Sequence, residues 1–214
     1  MMINHDPEFV ITLQRVIEFI GTFAFALSGI RLAASKHYDW LGGFVCGIAV
    51  AIGGGTIRDV MLGVRPFWML SPIYMICTLF AQCVVIVCHH YLRRLDTTWF
   101  LFDTLGLALF NIAGIQKTLE CGFPFWVAII MGCITGAAGG VIRDVLLNEE
   151  PVIFRKEIYA MACVVGGLTY WLLSWLQVSL YITVIATFAI VCAIRFLAVC
   201  LLYTSPSPRD MRRS

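Results

Sequence analysis

The sequence predicts an all-α membrane protein, with seven transmembrane helices arranged as two inverted three-helix repeats plus one extra helix. Three observations carry this prediction: an apolar composition, seven apolar stretches and a repeat of 85 residues. Of 214 residues, 60% are apolar and 13% are charged, and the mean hydropathy is +0.89. Soluble domains carry about 25% charged residues, and their surface shrinks too slowly with size to hide so many apolar side chains. The composition therefore excludes soluble, disordered and collagen-like proteins.

Charge and motifs exclude several function classes. The net charge of +2 gives no basic field for nucleic acid. The nine cysteines form no CxxC pair and have no histidine at ligand spacing, so we expect small buried hydrophobes rather than a metal site or a disulfide framework. The sequence lacks a P-loop, a GxSxG elbow and an HExxH motif. We therefore expect neither an ATP-driven pump nor an enzyme, and no cofactor.

Seven apolar stretches approach or exceed the roughly 20 residues that cross a bilayer. The connections between them are short and hold most of the charges, which leaves no room for a soluble domain. The leading segment MMINHDPE is acidic rather than basic, so we expect the first stretch to be a helix of the mature protein and not a signal peptide. The stretches are Phe9–Ala33, Leu41–Met61, Pro72–Cys88, Trp99–Ile115, Phe125–Leu147, Ile158–Trp175 and Leu180–Val199.

The distribution of lysine and arginine predicts the orientation. Cytoplasmic loops carry an excess of these residues, so the richer side is placed in the cytoplasm. The N-terminus is then outside, and the native C-terminus inside, a bacterial inner (plasma) membrane. The richer side holds Arg31, Lys36, Arg93, Arg94, Arg155, Lys156 and Arg195, against Arg15, Arg65 and Lys117 on the other.

The end of the chain changes character after Val199, where CLLYTSPSPRD and then MRRS follow. This string resembles the translation of a transposase adapter used in preparing sequencing libraries. We therefore expect the native protein to end near Val199 and exclude residues 200–214 from the fold. The alternative is a natural tail rich in serine and proline.

An internal repeat appears when the sequence is shifted by 85 residues. GGGTIRDVML (53–62) then falls on AGGVIRDVLL (138–147). We divide the chain into a tail (1–8), a first repeat (9–91), a second repeat (92–176) and a seventh helix (177–199). Each repeat holds three spans, an odd number, so the second copy must be inverted, as in transporters and channels with a site at the membrane midplane. Further equivalent pairs are Glu18 and Asp103, Gly21 and Gly106, Phe25 and Phe110, Gly29 and Gly114, and Tyr74 and Tyr159.

Glycine runs lie near the middle of the second and fifth stretches. They are Gly53, Gly54 and Gly55 in the first repeat, and Gly139 and Gly140, after Ala138, in the second. Glycine costs up to about 1 kcal/mol in a helix interior, and three in a row favour a break. A break at membrane depth must be satisfied by protein or by a water-filled cavity. The alternative is close helix packing through small residues. Two equivalent runs, each followed by Arg-Asp, favour the broken-helix interpretation.

Arg-Asp pairs follow both glycine runs, inside the spans. A lone charge at the bilayer centre costs at least about 2.5–3.5 kcal/mol, so each residue must face a partner or an aqueous path. Adjacent helical residues point about 100° apart, so Arg58 need not pair with Asp59, and pseudo-symmetry allows a pair with Asp144 instead. Two interpretations stay open for these charges, a structural brace and a charged pore lining. The candidates are Arg58, Asp59, Arg143 and Asp144, with Glu18 and Asp103 facing the pore or the interface.

The doubled motif resembles one known family. The GG-x-I-RD-V pattern occurs once in each repeat, with glycines at matching positions before it and a proline after it. This doubled pattern resembles that of the prokaryotic glycine-transporter-domain family, which is related to the trimeric intracellular cation (TRIC) channels. The match covers Val10–Val199. The resemblance implies seven helices in two inverted repeats plus one, assembled as a homotrimer, with a pore in each protomer beside the second and fifth helices. On that analogy the pore residues are Gly53, Gly54, Gly55, Gly139 and Gly140, beside Arg58, Asp59, Arg143 and Asp144.

Two functions stay open, because one branch of the family is named for glycine and the other for cations. The first is a pore for monovalent cations, chiefly K⁺, in which half-helix carbonyls and four acids replace part of the hydration shell. The second is a carrier for a small zwitterion such as glycine, whose carboxylate meets an arginine or a helix N-terminus. A purely structural membrane protein is a weaker alternative. The four acids are Glu18, Asp59, Asp103 and Asp144.

Overall fold

The computed structural model describes residues 7–88, 98–155 and 158–204, and these residues are all-α. The helices coincide with the seven predicted stretches, and a short extra helix precedes the sixth. The last helix continues to Thr204, so the first residues of the suspected adapter segment extend it. The helices are α1 (Pro7–Ser35), α2 (Trp40–Met61), α3 (Ile73–Val87), α4 (Thr98–Glu120), α5 (Phe125–Leu146), α6 (Val152–Arg155), α7 (Ile158–Trp175) and α8 (Leu180–Thr204), with a 3₁₀ turn at Phe67–Met69.

Five helices, α1, α2, α4, α5 and α8, are long and apolar enough to cross a membrane. The other two apolar helices are shorter, 15 residues in α3 and 18 in α7. At 1.5 Å per residue they reach about 22 and 27 Å, against a hydrocarbon core of about 30 Å. An all-helical membrane fold is therefore confirmed with five clear spans, and the full count of seven stays a prediction.

The helices end at positions that repeat every 85 residues, the same offset as in the sequence repeat. The backbone adopts positive φ after α1 at His37 (62°) and at the equivalent position after α4, Gly122 (83°). The same holds after α2 at Gly63 (70°) and after α5 at Asn148 (53°). A residue with positive φ just past a helix caps its last carbonyl groups. Equivalent stop signals thus end the helices at equivalent positions in the two repeats.

The core lies where the two repeats meet. Helix α1 packs against α4, and α2 packs against α5. Phe25 of α1 stacks on its own equivalent, Phe110 of α4, with ring centres 5.3 Å apart and planes 10° apart. Helix α3 covers α1 and α2, and α7 covers α4 and α5. Helix α8, which has no equivalent, packs on α7 and α4 and so covers the second repeat.

Candidate functional site

The glycine runs do not break their helices, so that prediction is wrong. Helices α2 and α5 continue through Gly53–Gly55 and through Gly139–Gly140. The glycines instead let the two helices touch. A Cβ atom on Gly54 would overlap the carbonyl oxygen of Thr135, and one on Gly139 would lie 2.8 Å from the carbonyl oxygen of Val50. Close packing through small residues, the alternative interpretation, therefore describes this contact.

The remaining glycines of the runs make room for side chains. A Cβ on Gly53 would overlap Ile142 of α5, and one on Gly55 would overlap the Phe67 ring. On Gly140 it would overlap the hydroxyl of Tyr159. Gly55 and Gly140 are repeat-equivalent, and each lets an aromatic ring lie against the helix just before its Arg-Asp pair.

The first charged cluster consists of Glu18, Arg58, Asp59 and Tyr74. Arg58 is fully buried; its Nε donates to Asp59 Oδ1 at 2.8 Å, and its Nη2 donates to Glu18 Oε1 at 2.9 Å. The second oxygen of Asp59 accepts from the backbone N–H of Phe67 at 2.7 Å. The hydroxyl of Tyr74 donates to Glu18 Oε2 at 3.3 Å. The cluster ties α2 to α1, to the 3₁₀ turn and to α3.

The second charged cluster, Asp103, Arg143, Asp144 and Tyr159, repeats this plan at the equivalent positions. Arg143 donates to Asp144 Oδ1 from Nε at 2.9 Å and from Nη2 at 2.8 Å. Its Nη1 donates to Asp103 Oδ1 at 2.6 Å. The backbone N–H of Val152, equivalent to that of Phe67, donates to Asp144 Oδ2 at 3.0 Å.

Pseudo-symmetry allowed Arg58 to pair with Asp144 and Arg143 to pair with Asp59. The described residues do not form these cross-pairs. Each arginine pairs instead with the aspartate beside it and with an acid on the first helix of its own repeat. The reason is geometric: Nε lies near the backbone and meets the neighbouring carboxylate, while the tip of the guanidinium reaches across to α1 or α4. A planar guanidinium offers donors in both directions at once.

The two clusters differ in a residue that sequence reasoning assigned elsewhere. Arg195 was counted among the charges of the cytoplasmic side, yet it is 3% exposed within the span Leu180–Val199 of α8. Its Nη2 donates to Asp103 Oδ2 at 3.0 Å, and its guanidinium carbon lies 4.4 Å from the centre of the Tyr159 ring. The second cluster therefore balances two carboxylates with two arginines, whereas the first has two carboxylates and one arginine.

Serine also distinguishes the clusters. Arg143 Nη1 donates to Ser28 Oγ at 2.8 Å, and this hydroxyl donates to the Trp99 carbonyl at 3.1 Å. The position equivalent to Ser28 is Ala113, and Arg58 Nη1 has no hydrogen-bond partner among the described residues.

A cavity of about 800 Å³ opens beside the first cluster. Four of its five buried lining residues, here called the floor, carry two carboxylates and two aromatic rings, and the fifth is Gln14. Its more exposed charged residues, here called the rim, carry both signs. Neither Asp103 nor Asp144 lines it. The floor is Glu18, Asp59, Phe67 and Tyr74, and the rim is Arg15, Arg65, Lys117 and Glu120.

A metal site is not evident in the part of the chain that the structure describes, where no group of three or more His, Cys, Asp or Glu side chains converges. The sequence identified Tyr74 and Tyr159 only as equivalent positions of the two repeats, and not as candidate functional residues. Their roles in the clusters required the fold, because Tyr74 meets Glu18 across 56 residues of chain and the Tyr159 ring meets the guanidinium of Arg195.

The family model for glycine transporters matches residues 15–90 and, a second time, residues 100–175. Its two matches start 85 positions apart and together cover more than half of the chain. The chain belongs to the glycine transporter family. The resemblance deduced from the doubled motif is thereby confirmed.

Curated relatives of this family member are membrane proteins. The UPF0126 inner membrane protein YadS of Escherichia coli K12 is 41% identical over 157 residues, which are 72% of this chain and 75% of the relative. A UPF0126 membrane protein of Vibrio cholerae is 40% identical, over 73% of this chain and 66% of its own. YvgT of Bacillus subtilis is 34% identical, over 84% and 89%.

Solved structures with the same fold are TRIC channels. The family member matches a TRIC trimeric intracellular cation channel orthologue from Rhodobacter sphaeroides with a TM-score of 0.82 and 29% identity, over 89% of this chain and 98% of the other. A second match, from a study of conductance through TRIC cation channels, has a TM-score of 0.77 and 33% identity, over 90% and 95%. The fold is therefore that of TRIC channels.

Proposed function

We propose that this protein is a transport protein of the bacterial inner membrane that passes a small monovalent cation, chiefly K⁺, through a pore in each protomer of a homotrimer. The observation that carries the proposal is the cavity of about 800 Å³ with the Glu18 and Asp59 carboxylates at its floor. Carboxylate and carbonyl oxygens replace the water that a cation loses on entering a pore. The solved neighbours support it, since they are named as cation channels and one as trimeric.

The topology that we propose has seven spans: a first repeat at 9–91, an inverted repeat at 92–176 and a seventh helix at 177–199. The stacking of Phe25 on its equivalent Phe110 supports a two-fold relation between the repeats. With the N-terminus outside, the cavity faces outward. The opposite face is then held by an ion pair between Lys36, after α1, and Glu149, after α5.

The pore path in this proposal narrows where α2 meets α5. Gly54 touches Thr135 and Gly139 touches Val50, so passage requires the two helices to separate. We assign Gly53, Gly54, Gly55, Gly139 and Gly140 to this constriction, the first cluster to the pore lining and the second cluster to a brace.

A carrier for glycine or a similar zwitterion is the second candidate. It is favoured by the mixed charges around the cavity: Arg15, Arg65 and Lys117 offer partners for a carboxylate, and the floor offers partners for an ammonium group. The family assignment supports transport, rather than enzyme activity, under either candidate.

The test is parallel flux measurement on purified protein in liposomes, with a K⁺-sensitive dye and with labelled glycine. We expect K⁺ flux without glycine accumulation, and we expect Asp59→Asn to reduce it. Asp144→Asn removes the same charge from the second cluster, away from the cavity, and is the matched control. Glycine uptake without K⁺ flux would replace the channel by the carrier, and equal flux in both variants would remove the cavity from the path.

A further inference from the structure

We propose that the floor of the cavity is a binding site for a protonated nitrogen group, an ammonium or guanidinium, held between the Glu18 carboxylate and the Tyr74 ring. The proposal deepens the transport function and rests on it for its physiological meaning. It rests structurally on a comparison between the two repeats.

The second repeat shows what such a site looks like when it is filled. There the guanidinium of Arg195 binds Asp103 Oδ2 at 3.0 Å, and its carbon lies 4.4 Å from the centre of the Tyr159 ring. Asp103 and Tyr159 are the equivalents of Glu18 and Tyr74. A carboxylate and an aromatic face thus already hold a cationic nitrogen group in this fold, in the arrangement of a cation–π site.

The first repeat has the same carboxylate and ring, but α8, which carries Arg195, packs on α7 and α4, and among the described residues Glu18 forms an ion pair with Arg58 alone. The oxygen of Glu18 equivalent to the one that Arg195 takes accepts the Tyr74 hydroxyl instead, at 3.3 Å. Hydroxyl-to-carboxylate hydrogen bonds are normally near 2.7 Å, so this contact is weak. Conversely the Tyr159 hydroxyl, displaced by Arg195, has no partner within the described ranges. The Tyr74 hydroxyl therefore occupies the place of the cation.

The balance of carboxylates and arginines within the first cluster also supports a bound cation. The first cluster carries one carboxylate more than it has arginines, and Glu18 and Asp59 both line the cavity. A ligand of charge +1 would complete the balance that Arg195 completes in the second cluster. The rim holds three basic residues and one acid, so its net charge is positive and does not attract a cation. The floor residues must therefore select the nitrogen group. Its source is either a free cation or the amino end of a zwitterion.

The experiment measures binding to the purified protein by isothermal titration and by the shift of the melting temperature, with methylguanidinium, methylammonium, glycine and KCl at matched ionic strength. We expect saturable binding of methylguanidinium and methylammonium. Tyr74→Phe keeps the ring and removes the competing hydroxyl, so binding should tighten by about twofold, the low end of the value of one hydrogen bond, because the contact is long. Tyr74→Leu removes the ring and should weaken binding, and Glu18→Gln should abolish it.

Tyr159→Phe is the matched control, since Arg195 already fills the equivalent position, and it should leave binding unchanged. Weaker binding in Tyr74→Phe than in the natural protein would overturn the proposal, as would unchanged binding in Glu18→Gln. If Glu18→Gln fails to fold, the two Tyr74 variants decide. Glycine binding tighter than methylammonium binding would identify a zwitterion as the source, and the reverse a free cation. Binding without flux would disprove the transport function alone, and flux without floor-dependent binding would disprove this site alone.

Discussion

Each motif arginine is held by two carboxylates, one beside it in the chain and one 40 residues earlier. Burying a guanidinium costs several kcal/mol, and only a nearly complete set of partners offsets that cost. Arg143 has such a set, because Ser28 supplies the acceptor that Ala113 lacks at the equivalent position beside Arg58. The arginine of the second cluster is therefore the better satisfied of the two, which fits the bracing role proposed for that cluster.

Ser28→Ala should lower stability by about 1–2 kcal/mol, because it removes a charge-assisted hydrogen bond to Arg143 and the bond to the Trp99 carbonyl. Thermal unfolding in mild detergent measures the change. The converse substitution, Ala113→Ser, offers Arg58 Nη1 an acceptor and should not lower stability. Unchanged stability in Ser28→Ala would show that the serine is not part of the brace.

At this scale the sequence identified the acids and arginines of both clusters from the repeat alone. It did not identify Arg195, whose position near the end of an apolar stretch was taken for the membrane surface. The error has a physical cause: an arginine about one turn before the end of the predicted stretch can extend to the interface or turn inward, and its contacts with Asp103, Tyr159 and Phe100 turn it inward.

The helices α2 and α5 show why the expected breaks did not occur. Glycine propensity is a weak local preference, and a bilayer makes every freed backbone group expensive. The continuous helix keeps its hydrogen bonds, and the missing side chains let α2 and α5 touch at Gly54 and Gly139. Sequence reasoning named both outcomes and favoured the break, because the packing partner that the glycines admit is a property of the fold.

Two glycines of α2 give a paired test. Gly54→Ala places a Cβ against the Thr135 backbone and should lower stability by about 1–3 kcal/mol, since α2 and α5 must move apart. Gly43→Ala, on the same helix, meets its nearest atoms at 3.9 Å and should raise stability by up to about 1 kcal/mol through helix propensity. Melting temperatures that shift in the same direction would contradict this account of the α2–α5 contact.

For the whole molecule, sequence reasoning succeeded because the signals are global: composition, spacing of apolar stretches and a gapless repeat. The count of lysine and arginine residues on the two sides of the membrane, which predicted the orientation, includes two residues that are not in loops. Arg31 and Arg195 are buried and so do not contribute to the loops of the richer side. The remaining imbalance has the same sign, and the orientation stays a prediction.

Equivalent positions at the ends of α1 and α4 provide a direct test of inverted topology. Ser35 and Glu120 are 85 residues apart and both are exposed. We expect Ser35→Cys to react with a membrane-impermeant maleimide only from the cytoplasmic side, and Glu120→Cys only from the outside. The background carries Cys121→Ser, because Cys121 lies in the same turn. Labelling of both positions from one side would reject the inverted arrangement.

The stacking of Phe25 on Phe110 has an evolutionary consequence. In an ancestral three-helix protein that paired with an inverted copy of itself, both rings would have been the same residue meeting across a symmetry axis. Fusion of two such copies into one chain would release the two halves from the need to stay identical. The extra helix α8 supplies Arg195 to the second cluster, whereas the Glu18 carboxylate of the first repeat lines the cavity. Two identical copies in a symmetric dimer could not carry this difference between Glu18 and Asp103, whereas a single chain can.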